Sequence, residues 1–200
     1  MVAIIDYGMG NVASVQKALN FLKIDSCITA DFDKIESATH IVLPGVGSFL
    51  QGMKNLKESG LADFLTEQVI DKKKKFLGVC LGMQLVAETS EEPYQNSGLG
   101  WVKGKVVKIE DTEISIPHMG WNNITVCNDT FYKDLPSKDF YFIHSYHFVP
   151  TLPAVIAATV NYGKDYVASI QQDNIFATQF HPEKSQLAGL NVLKSFFNNA

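Results

Sequence analysis

Residues 76–85 read FLGVCLGMQL, an apolar run interrupted by the motif Gly78-Val79-Cys80-Leu81-Gly82. Phe76–Val79 predicts a buried strand, and a helix is expected to start directly after the cysteine. Gly-x-Cys-x-Gly between a strand and a helix is typical of a nucleophile elbow with cysteine in place of serine. Such a turn would lift the Cys80 sulfur above the sheet edge and aim the Leu81 N–H group at a developing oxyanion. Taken alone, the motif equally fits a buried structural cysteine.

Strands and helices alternate on the N-terminal side of this motif. Val2–Ile5, Ser26–Thr29 and His40–Leu43 predict short strands, whereas Val12–Lys23 and Leu61–Ile70 predict helices. This alternation is typical of a parallel sheet covered by helices on both faces.

Beyond about residue 100 the sequence becomes rich in strands and closes on a predicted helix, Leu187–Phe197. We therefore predict an α/β fold with a mixed, mostly parallel central sheet, flanking helices and a β-rich C-terminal half. A length of 200 residues fits a single domain over residues 1–200. The predicted strands of the second half are Val106–Ile109, Ile124–Val126, Tyr141–Ile143, Val155–Val160, Tyr166–Gln171 and Phe176–Phe180.

The composition excludes several classes of protein. The formal net charge is −4, which argues against nucleic acid or anionic lipid as the main partner. All 17 basic residues are lysine, so no guanidinium can clamp a phosphate or a carboxylate. Three well-separated cysteines argue against a disulfide framework and a zinc site, and Cys27 and Cys127 are expected to be structural. We expect no cofactor or metal, and the absence of a signal peptide or a membrane-spanning run favours the cytoplasm.

A base for the cysteine is expected about 100 residues downstream, in Phe180-His181-Pro182-Glu183. In an extended segment, residues two apart point the same way, so Glu183 could hold the imidazole of His181 in one tautomer. Pro182 cannot donate to a strand ladder, which places the segment at a strand end. Considered without the cysteine motif, the alternative is that this segment is an ordinary solvated turn. The other histidines lack a carboxylate two residues further on and are weaker candidates: His40, His118, His144 and His147.

Glycine-rich backbone also follows the third predicted strand, at Pro44-Gly45-Val46-Gly47. The N–H groups of Gly45, Val46 and Gly47 could turn toward an oxyanion that forms beside Cys80. An ordinary strand-ending turn is the alternative.

A second glycine-rich turn suggests a competing class of function. Gly8-Met9-Gly10-Asn11-Val12-Ala13 follows the first predicted strand and imitates the Gly-x-Gly-x-x-Ala fingerprint of dinucleotide-binding folds. Asp31 lies near the end of the second strand, at about the distance expected for a ribose contact. A dinucleotide-binding module would, however, leave the cysteine elbow and the His181–Glu183 pair without a role.

Taken together, Gly78–Gln84, Pro44–Gly47 and Phe180–Glu183 resemble the class-I glutamine amidotransferases. More closely, the chain resembles the glutaminase subunits of imidazole glycerol phosphate synthases, from Asp6 to the last helix. The segments that carry this closer resemblance are Asp6–Asn11, Pro117–Asn122, Phe142–Tyr146 and His181–Ser185.

The resemblance implies a glutaminase without a cofactor. In it, Cys80 would form a γ-glutamyl thioester, His181 would move protons, and Glu183 would orient His181. The N–H groups of Leu81 and of the Pro44–Gly47 loop would stabilise the oxyanion. Positions that match substrate contacts are Gln84, Ser145 and Tyr146. Positions that match a face toward a TIM-barrel synthase subunit are Asn11, Trp121 and Lys184.

The resemblance also implies a heterodimer in which ammonia passes into the barrel and closes an imidazole ring in histidine biosynthesis. Val102–Pro117 is rich in lysine and lacks arginine, which leaves open a paralogous partner that modifies sugars in surface-polysaccharide pathways. For the predicted interface, the alternatives are that Trp121 is a core residue and Lys184 a solvated charge.

Overall fold

The computed structural model describes residues 1–110 and 114–198. A π-helical turn at Glu67–Asp71 extends one helix, and 3-10 turns lie at Pro153–Val155 and Pro182–Lys184. The first half contains β1 (Val2–Ile5), α1 (Val12–Phe21), β2 (Ser26–Thr29), α2 (Phe32–Ser37), β3 (His40–Gly45), α3 (Phe49–Glu58), α4 (Leu61–Thr66), β4 (Lys75–Cys80) and α5 (Leu81–Leu85). The second half contains β5 (Ala87–Ser90), β6 (Asn96–Ser97), β7 (Val102–Lys108), β8 (His118–Val126), β9 (Asp139–His144), β10 (Tyr146–Pro150), β11 (Ile156–Tyr162), β12 (Lys164–Gln172), β13 (Ile175–Thr178) and α6 (Gln186–Asn198).

A nine-stranded sheet with the order β2-β1-β3-β4-β13-β12-β11-β8-β9 forms the centre of the molecule. Its strands pair in parallel from β2 to β13 and antiparallel from β13 to β9. A smaller sheet with the order β10-β7-β5-β6 stands beside it. The predicted mixed α/β architecture with a β-rich second half is confirmed.

Apolar side chains bury both faces of the parallel half of the central sheet. Successive strand residues point to opposite faces, so adjacent residues of one strand enter different cores. One core combines strand residues with α1 and α6, and includes Ile4, Val42, Leu77, Phe176, Leu19 and Phe196. The other combines strand residues with α3 to α5 and the smaller sheet, and includes Ile5, Leu43, Phe76, Phe49, Leu85 and Phe148.

Helices α2 and α3 are absent from the sequence-based prediction, although each begins after a capping residue. The side chain of Asp31 accepts a hydrogen bond from the Lys34 N–H group at 3.1 Å. The Ser48 hydroxyl likewise accepts the Gln51 N–H group at 3.3 Å. Such caps satisfy N–H groups that the start of a helix leaves without partners. Reading the caps as well as the apolar spacing would have located both helices.

Several predicted element boundaries are wrong. The helix predicted over Leu61–Ile70 is α-helical only to Thr66, and the following turn is π-helical. The strand predicted over Phe176–Phe180 ends at Thr178. Strands β5, β6 and β10 were not predicted, because their residues lack a regular apolar alternation. In addition, β10 pairs with β7, which lies at least 38 positions earlier in the chain. Long-range pairing thus overrides local preference here.

The predicted elbow connects β4 to α5 directly. Cys80 has a φ of 55°, in the left-handed region, and α5 begins at the next residue. A Cβ atom on Gly78 would lie 2.8 Å from the Gly82 carbonyl oxygen, and one on Gly82 would collide with the backbone carbonyl oxygen of Leu43 in β3. Gly78 therefore lets the strand and the helix of the elbow lie close together, and Gly82 lets the elbow lie directly against β3.

We expect Gly82→Ala to destabilise the fold by about 3 kcal/mol, the upper end of the usual range for overpacking, because backbone of β3 blocks the new methyl group. Gly52→Ala is the matched control. Its Cβ would meet only leucine side chains, at 3.3 Å, and alanine favours the helical conformation of α3 by about 1 kcal/mol over glycine. Denaturant unfolding measures both changes. Equal stability losses would contradict the proposed role of Gly82.

Candidate active site

A cleft of about 370 Å³ opens where β3 and β4 end. Carboxyl ends of parallel strands are the usual location of binding sites in such sheets. The cleft brings together residues that the sequence scatters over more than 130 positions. It is lined by Val46, Gly47, Cys80, Leu81, Gln84, Glu92, Pro117, Ile143, His144, Ser145, Tyr146 and Lys184.

Cys80, the candidate nucleophile, lines this cleft at the end of β4. Its Sγ lies 3.9 Å from the Ile143 carbonyl oxygen and 3.8 Å from Nε2 of Gln179. The other two cysteines lie elsewhere: Cys27 is half-buried in β2, and Cys127 is exposed just past the end of β8. Neither cysteine lines the cleft, and Cys127 is not a core residue.

His181 and Glu183 form a buried pair. Nδ1 of His181 lies 2.7 Å from Oε1 of Glu183, and both side chains are completely buried. The prediction that this segment is extended is wrong after His181. A 3-10 turn at Pro182–Lys184 brings the Glu183 carboxylate back to the imidazole ring. Nδ1 donates to Glu183 in this arrangement, which leaves Nε2 as the nitrogen that can exchange a proton.

The electrostatics of His181 favour a charged imidazole. Burial by itself lowers its pKa, but hydrogen bonding and charge interaction with Cys80 and Glu183 outweigh burial and raise the pKa to about 10. Among the described residues, its buried Nε2 makes no hydrogen bond of ordinary geometry. That nitrogen is thus available to a proton from the neighbouring sulfur. A thiolate nucleophile beside a base that is oriented by a carboxylate is the arrangement that acyl transfer through cysteine requires.

A family model described as glutamine amidotransferase class-I matches residues 3–200. The chain belongs to the class-I glutamine amidotransferase family. It is 47% identical over 199 residues to imidazole glycerol phosphate synthase subunit HisH 1 of Campylobacter jejuni strain 81-176, with 98% of each chain covered. It is 45% identical over 197 residues to subunit HisH of Moorella thermoacetica, with 98% of this chain and 93% of the relative covered. Within the family, it therefore groups with HisH subunits.

Solved structures agree with this fold. A crystal structure described as a glutamine amidotransferase superposes with a TM-score of 0.78 at 20% identity and covers 99% of this chain and 98% of its own. The structure of PurLQS from Thermotoga maritima superposes with a TM-score of 0.77 at 19% identity, with 99% and 97% covered. At these identities the likeness concerns the fold alone.

In this amidotransferase, the loop predicted as Pro44–Gly47 is shorter than expected. Pro44 and Gly45 belong to β3, where Gly45 pairs with Cys80 across the sheet. Only Val46 and Gly47 extend beyond the strand into the cleft. The Val46 N–H group donates to the Met9 carbonyl oxygen at 3.0 Å, so it is turned away from an oxyanion in the observed conformation. Gly47 has a φ of 105°, which an L-residue with a side chain rarely adopts.

The predicted substrate contacts Gln84, Ser145 and Tyr146 all line the cleft. Nε2 of Gln84 donates to the Tyr146 carbonyl oxygen at 2.9 Å and to Oε1 of Gln179 at 3.0 Å. Both amide hydrogens of Gln84 are therefore used within the protein, and a contact with substrate would fall to its Oε1.

Two site residues were missed in the sequence. Gln179 is fully buried between Gln84 and Cys80, and its position directly before Phe180-His181 was an available signal. Glu92 reaches the cleft from the loop after β5, where nothing in the local sequence marks it. Burial raises the pKa of Glu92, while a hydrogen bond from the Phe49 N–H group partly offsets this effect.

Two of the three predicted interface residues, Trp121 and Lys184, lie together on the surface. Trp121 in β8 is 49% exposed, so the alternative of a core residue is wrong. Its ring is 6.1 Å from that of Tyr141, over which Nζ of the exposed Lys184 lies at 5.9 Å. Asn11 faces inward and donates to Oε1 of Glu183 at 2.6 Å. Asn11 thus contacts the buried His181–Glu183 pair directly, which the sequence did not indicate.

The dinucleotide-binding interpretation of the Gly8–Asn11 turn is wrong for this family member. The turn serves the amidotransferase site: the Met9 carbonyl holds Val46, and the Asn11 amide holds Glu183. Asp31 caps α2.

Among residues 1–110 and 114–198, no group of three or more histidine, cysteine or acidic side chains is placed to hold a metal, and no helix is long and apolar enough to cross a bilayer. The lysine-rich Val102–Pro117 segment includes residues 111–113, which lie outside the described residues.

A second histidine pair supports the wall of the cleft. Nδ1 of His118 lies 3.0 Å from Nε2 of His144, and Nδ1 of His144 lies 2.9 Å from the Tyr146 carbonyl oxygen. The carbonyl can only accept, so His144 donates through Nδ1 and accepts from His118 through Nε2. The ring of His118 also stacks between Phe142 and Tyr162. His144 must be neutral to accept from His118, and His118 must be neutral for its Nε2 to accept from the Asn122 amide at 3.4 Å.

We expect this pair to make the protein sensitive to acid. Burial lowers the pKa of His118 to about 4; for His144, burial and the nearby histidines lower it to about 3. Because an unfolded histidine titrates near 6.5, the unfolded chain binds protons below that pH and the folded chain does not. Stability should therefore be full above about pH 6.5 and decline toward pH 4, by on the order of 2–3 kcal/mol from His118 alone.

Unfolding free energies measured in denaturant at pH 7 and pH 4.5 test this expectation. His118→Gln removes one of the titrating groups, so it should lose stability at pH 7 but show a smaller decline on acidification. A decline as steep as that of the unmodified chain would contradict the assignment to this pair.

Proposed function

We propose that this HisH family member hydrolyses the side-chain amide of L-glutamine through the cleft at Cys80. The Cys80 sulfur attacks the amide carbon, the C–N bond breaks, and ammonia leaves with a γ-glutamyl thioester on the enzyme. Water then attacks the thioester, releases glutamate and regenerates the thiol. The single observation that carries this proposal is that one cysteine in a strained elbow faces both the cleft and a buried His–Glu pair.

His181 is the proposed acid and base of both steps. It takes the Cys80 proton before attack and delivers it to the leaving nitrogen, because ammonia cannot leave as an amide anion. Its raised pKa keeps the proton on the ring, next to a thiolate, until the leaving group needs it. Glu183 holds the ring through Nδ1, and Asn11 in turn holds Glu183. The oxyanion of the tetrahedral intermediate would accept hydrogen bonds from the Leu81 N–H group and from the segment Gly45–Gly47.

The cleft offers groups for both ends of the amino acid. The Glu92 carboxylate would pair with the α-ammonium group of the substrate. The ammonium group of Lys184 would attract the α-carboxylate, since the chain has no arginine to do so. Ser145 and Tyr146 form the wall between them, supported by His144. This arrangement suits a zwitterionic substrate with a neutral side-chain amide.

We propose that the face around Trp121 and Lys184 docks on a TIM-barrel synthase subunit, which receives the ammonia in the cytoplasm and makes imidazole glycerol phosphate. Exposed apolar side chains surround these residues, and large exposed apolar groups that cluster indicate an interaction site. The relatives are named as synthase subunits, which supports the same partner. A single domain spanning residues 1–200 would carry the whole function. The apolar members of this face are Met119 (63% exposed), Ile143 (37%) and Leu187 (65%).

Cys80→Ala tests the proposed function. In the complex with the synthase subunit, the variant should lose glutamine-dependent synthesis by at least about 1,000-fold, because Cys80 is the only cysteine among the residues that line the cleft. Synthesis from added ammonium salt should persist near the unmodified level, since the partner consumes ammonia. His181→Ala should behave alike, whereas Glu183→Gln should lose less, because Glu183 orients the base without transferring the proton.

Cys127→Ser, at an exposed cysteine outside the cleft, is the matched control and should keep glutamine-dependent synthesis. Loss of the ammonium-dependent reaction in Cys80→Ala would refute the proposed division of labour. A sugar-modifying synthase as the partner that stimulates this chain would support the paralogous alternative.

We also expect the partner to control the oxyanion site. The Val46 N–H group is bound to the Met9 carbonyl, so the peptide must rotate before it can stabilise an oxyanion. One such donor contributes about 2.7–4 kcal/mol, or roughly 100- to 1,000-fold in rate. The free chain should therefore hydrolyse glutamine slowly, and the ligand-bound partner should accelerate it by about that factor.

Gly47→Ala should reduce this acceleration. A side chain is strained at the observed φ of 105°, so it changes the energy difference between the observed conformation and the one reached by rotation of the Val46 peptide. Gly60→Ala is the matched control: Gly60 also has a positive φ of 74°, but it begins α4, outside the cleft. The turnover number of each variant is measured with and without partner and ligand. A free chain at full speed, or equal effects of the two substitutions, would refute this form of control.

A further inference from the structure

Gln179 lies behind the reactive sulfur and has no part in the mechanism described so far. It follows β13 directly, its backbone N–H group donates to the Ala168 carbonyl at 2.8 Å, and its side chain is fully buried. The side chain therefore has little freedom to move. Whether this side chain donates to the sulfur depends on which end of its amide, Oε1 or Nε2, faces Sγ.

The hydrogen-bond network fixes that orientation. The Tyr146 carbonyl oxygen can only accept, so the group of Gln84 that contacts it must be the amide nitrogen. The second hydrogen of the same nitrogen is directed at Gln179, whose facing atom must then be the carbonyl oxygen Oε1. Nε2 of Gln179 consequently points at the Cys80 Sγ, at 3.8 Å.

Donation to sulfur changes the balance between thiol and thiolate. A charged acceptor gains more from a hydrogen bond than a neutral one, so the N–H group of Gln179 favours the thiolate over the thiol. Besides His181, the Ile143 carbonyl oxygen lies 3.9 Å from Sγ, and this oxygen can interact favourably only with the protonated sulfur. The N–H group of Gln179 thus offsets the unfavourable effect of this carbonyl on a thiolate. It also holds the sulfur in position when the proton is on His181.

We propose that Gln179 is a further catalytic residue, which donates a hydrogen bond from Nε2 to the Cys80 thiolate in an orientation set by Gln84. The inference rests on the proposed function, in which Cys80 is the nucleophile. The competing role is purely structural: Gln179 would only satisfy Gln84 and thereby shape the substrate wall. That role predicts weaker substrate binding without a change at the sulfur.

Two substitutions separate these roles. Gln179→Glu retains the volume and an oxygen for Gln84 but replaces the donor that faces Sγ by an acceptor. Gln179→Met removes both functions at similar volume. Thr178→Val is the matched control, since Thr178 is the adjacent buried residue and its hydroxyl donates only to the Phe180 carbonyl oxygen, 3.0 Å away. Thermal unfolding of all variants identifies those that fold.

The decisive measurement is the pH dependence of Cys80 alkylation by iodoacetamide in the full-length chain, followed by the mass of the Cys80 peptide. We expect the midpoint to rise by about one pH unit in Gln179→Met, which lowers the thiolate fraction at a given pH about tenfold. The rise should be larger in Gln179→Glu. In the complex with the synthase subunit, kcat for glutamine should fall about tenfold or more, with KM changed less than about threefold. Thr178→Val should retain the original midpoint.

An unchanged midpoint in folded Gln179→Glu, or a change confined to KM, would overturn the proposal and leave Gln179 a structural residue. Failure of the proposed function itself looks different. In that case the unmodified chain, not only the variants, would show no selective alkylation of Cys80 and no glutamine hydrolysis.

Discussion

The contact between the elbow and β3 is the constraint on which the rest of the site depends. Cys80 has a left-handed backbone conformation, and Gly82 lies so close to the Leu43 carbonyl that no side chain fits between them. This contact makes α5 start at the edge of the sheet, immediately after the strand. The sulfur therefore stands at the mouth of the cleft, while the Leu81 N–H group lies next to it. Backbone strain of this kind persists only where surrounding packing fixes it, here through the cores on both faces of the sheet.

Buried polar groups then align the chemistry around the sulfur. Unpaired polar groups are costly in a dry interior, so several buried side chains at the site have their direction set by a partner. Asn11 holds Glu183, Glu183 holds His181, and His144 and Gln84 share the Tyr146 carbonyl. Because these partners come from both halves of the chain, the site forms only when the whole central sheet has formed.

The backbone beside the nucleophile shows the opposite behaviour. Val46 points its N–H group at Met9, and Gly47 has a conformation that glycine alone adopts easily. In the proposed mechanism, the nucleophile and its base are thus held rigidly, whereas one oxyanion donor is turned away. A rigid nucleophile with a movable donor is suited to an enzyme whose product must be released only toward a partner.

The sequence by itself determined the α/β class, the elbow and the pairing of His181 with Glu183, because each depends on residues close together in the chain. Apolar periodicity and glycine spacing are local properties, and local rules read them correctly. The sequence did not locate α2 and α3, whose apolar spacing is short, nor β5 and β6, which lack a regular apolar alternation, nor β10, whose partner β7 is distant in the chain. Only the tertiary structure placed Glu92 in the cleft, turned Asn11 toward Glu183, and set the Gln179 amide against the sulfur. Contacts of this kind join residues about 100 or more positions apart, or a loop to a remote strand, and the direction of a hydrogen bond depends on the whole set of neighbours that share it.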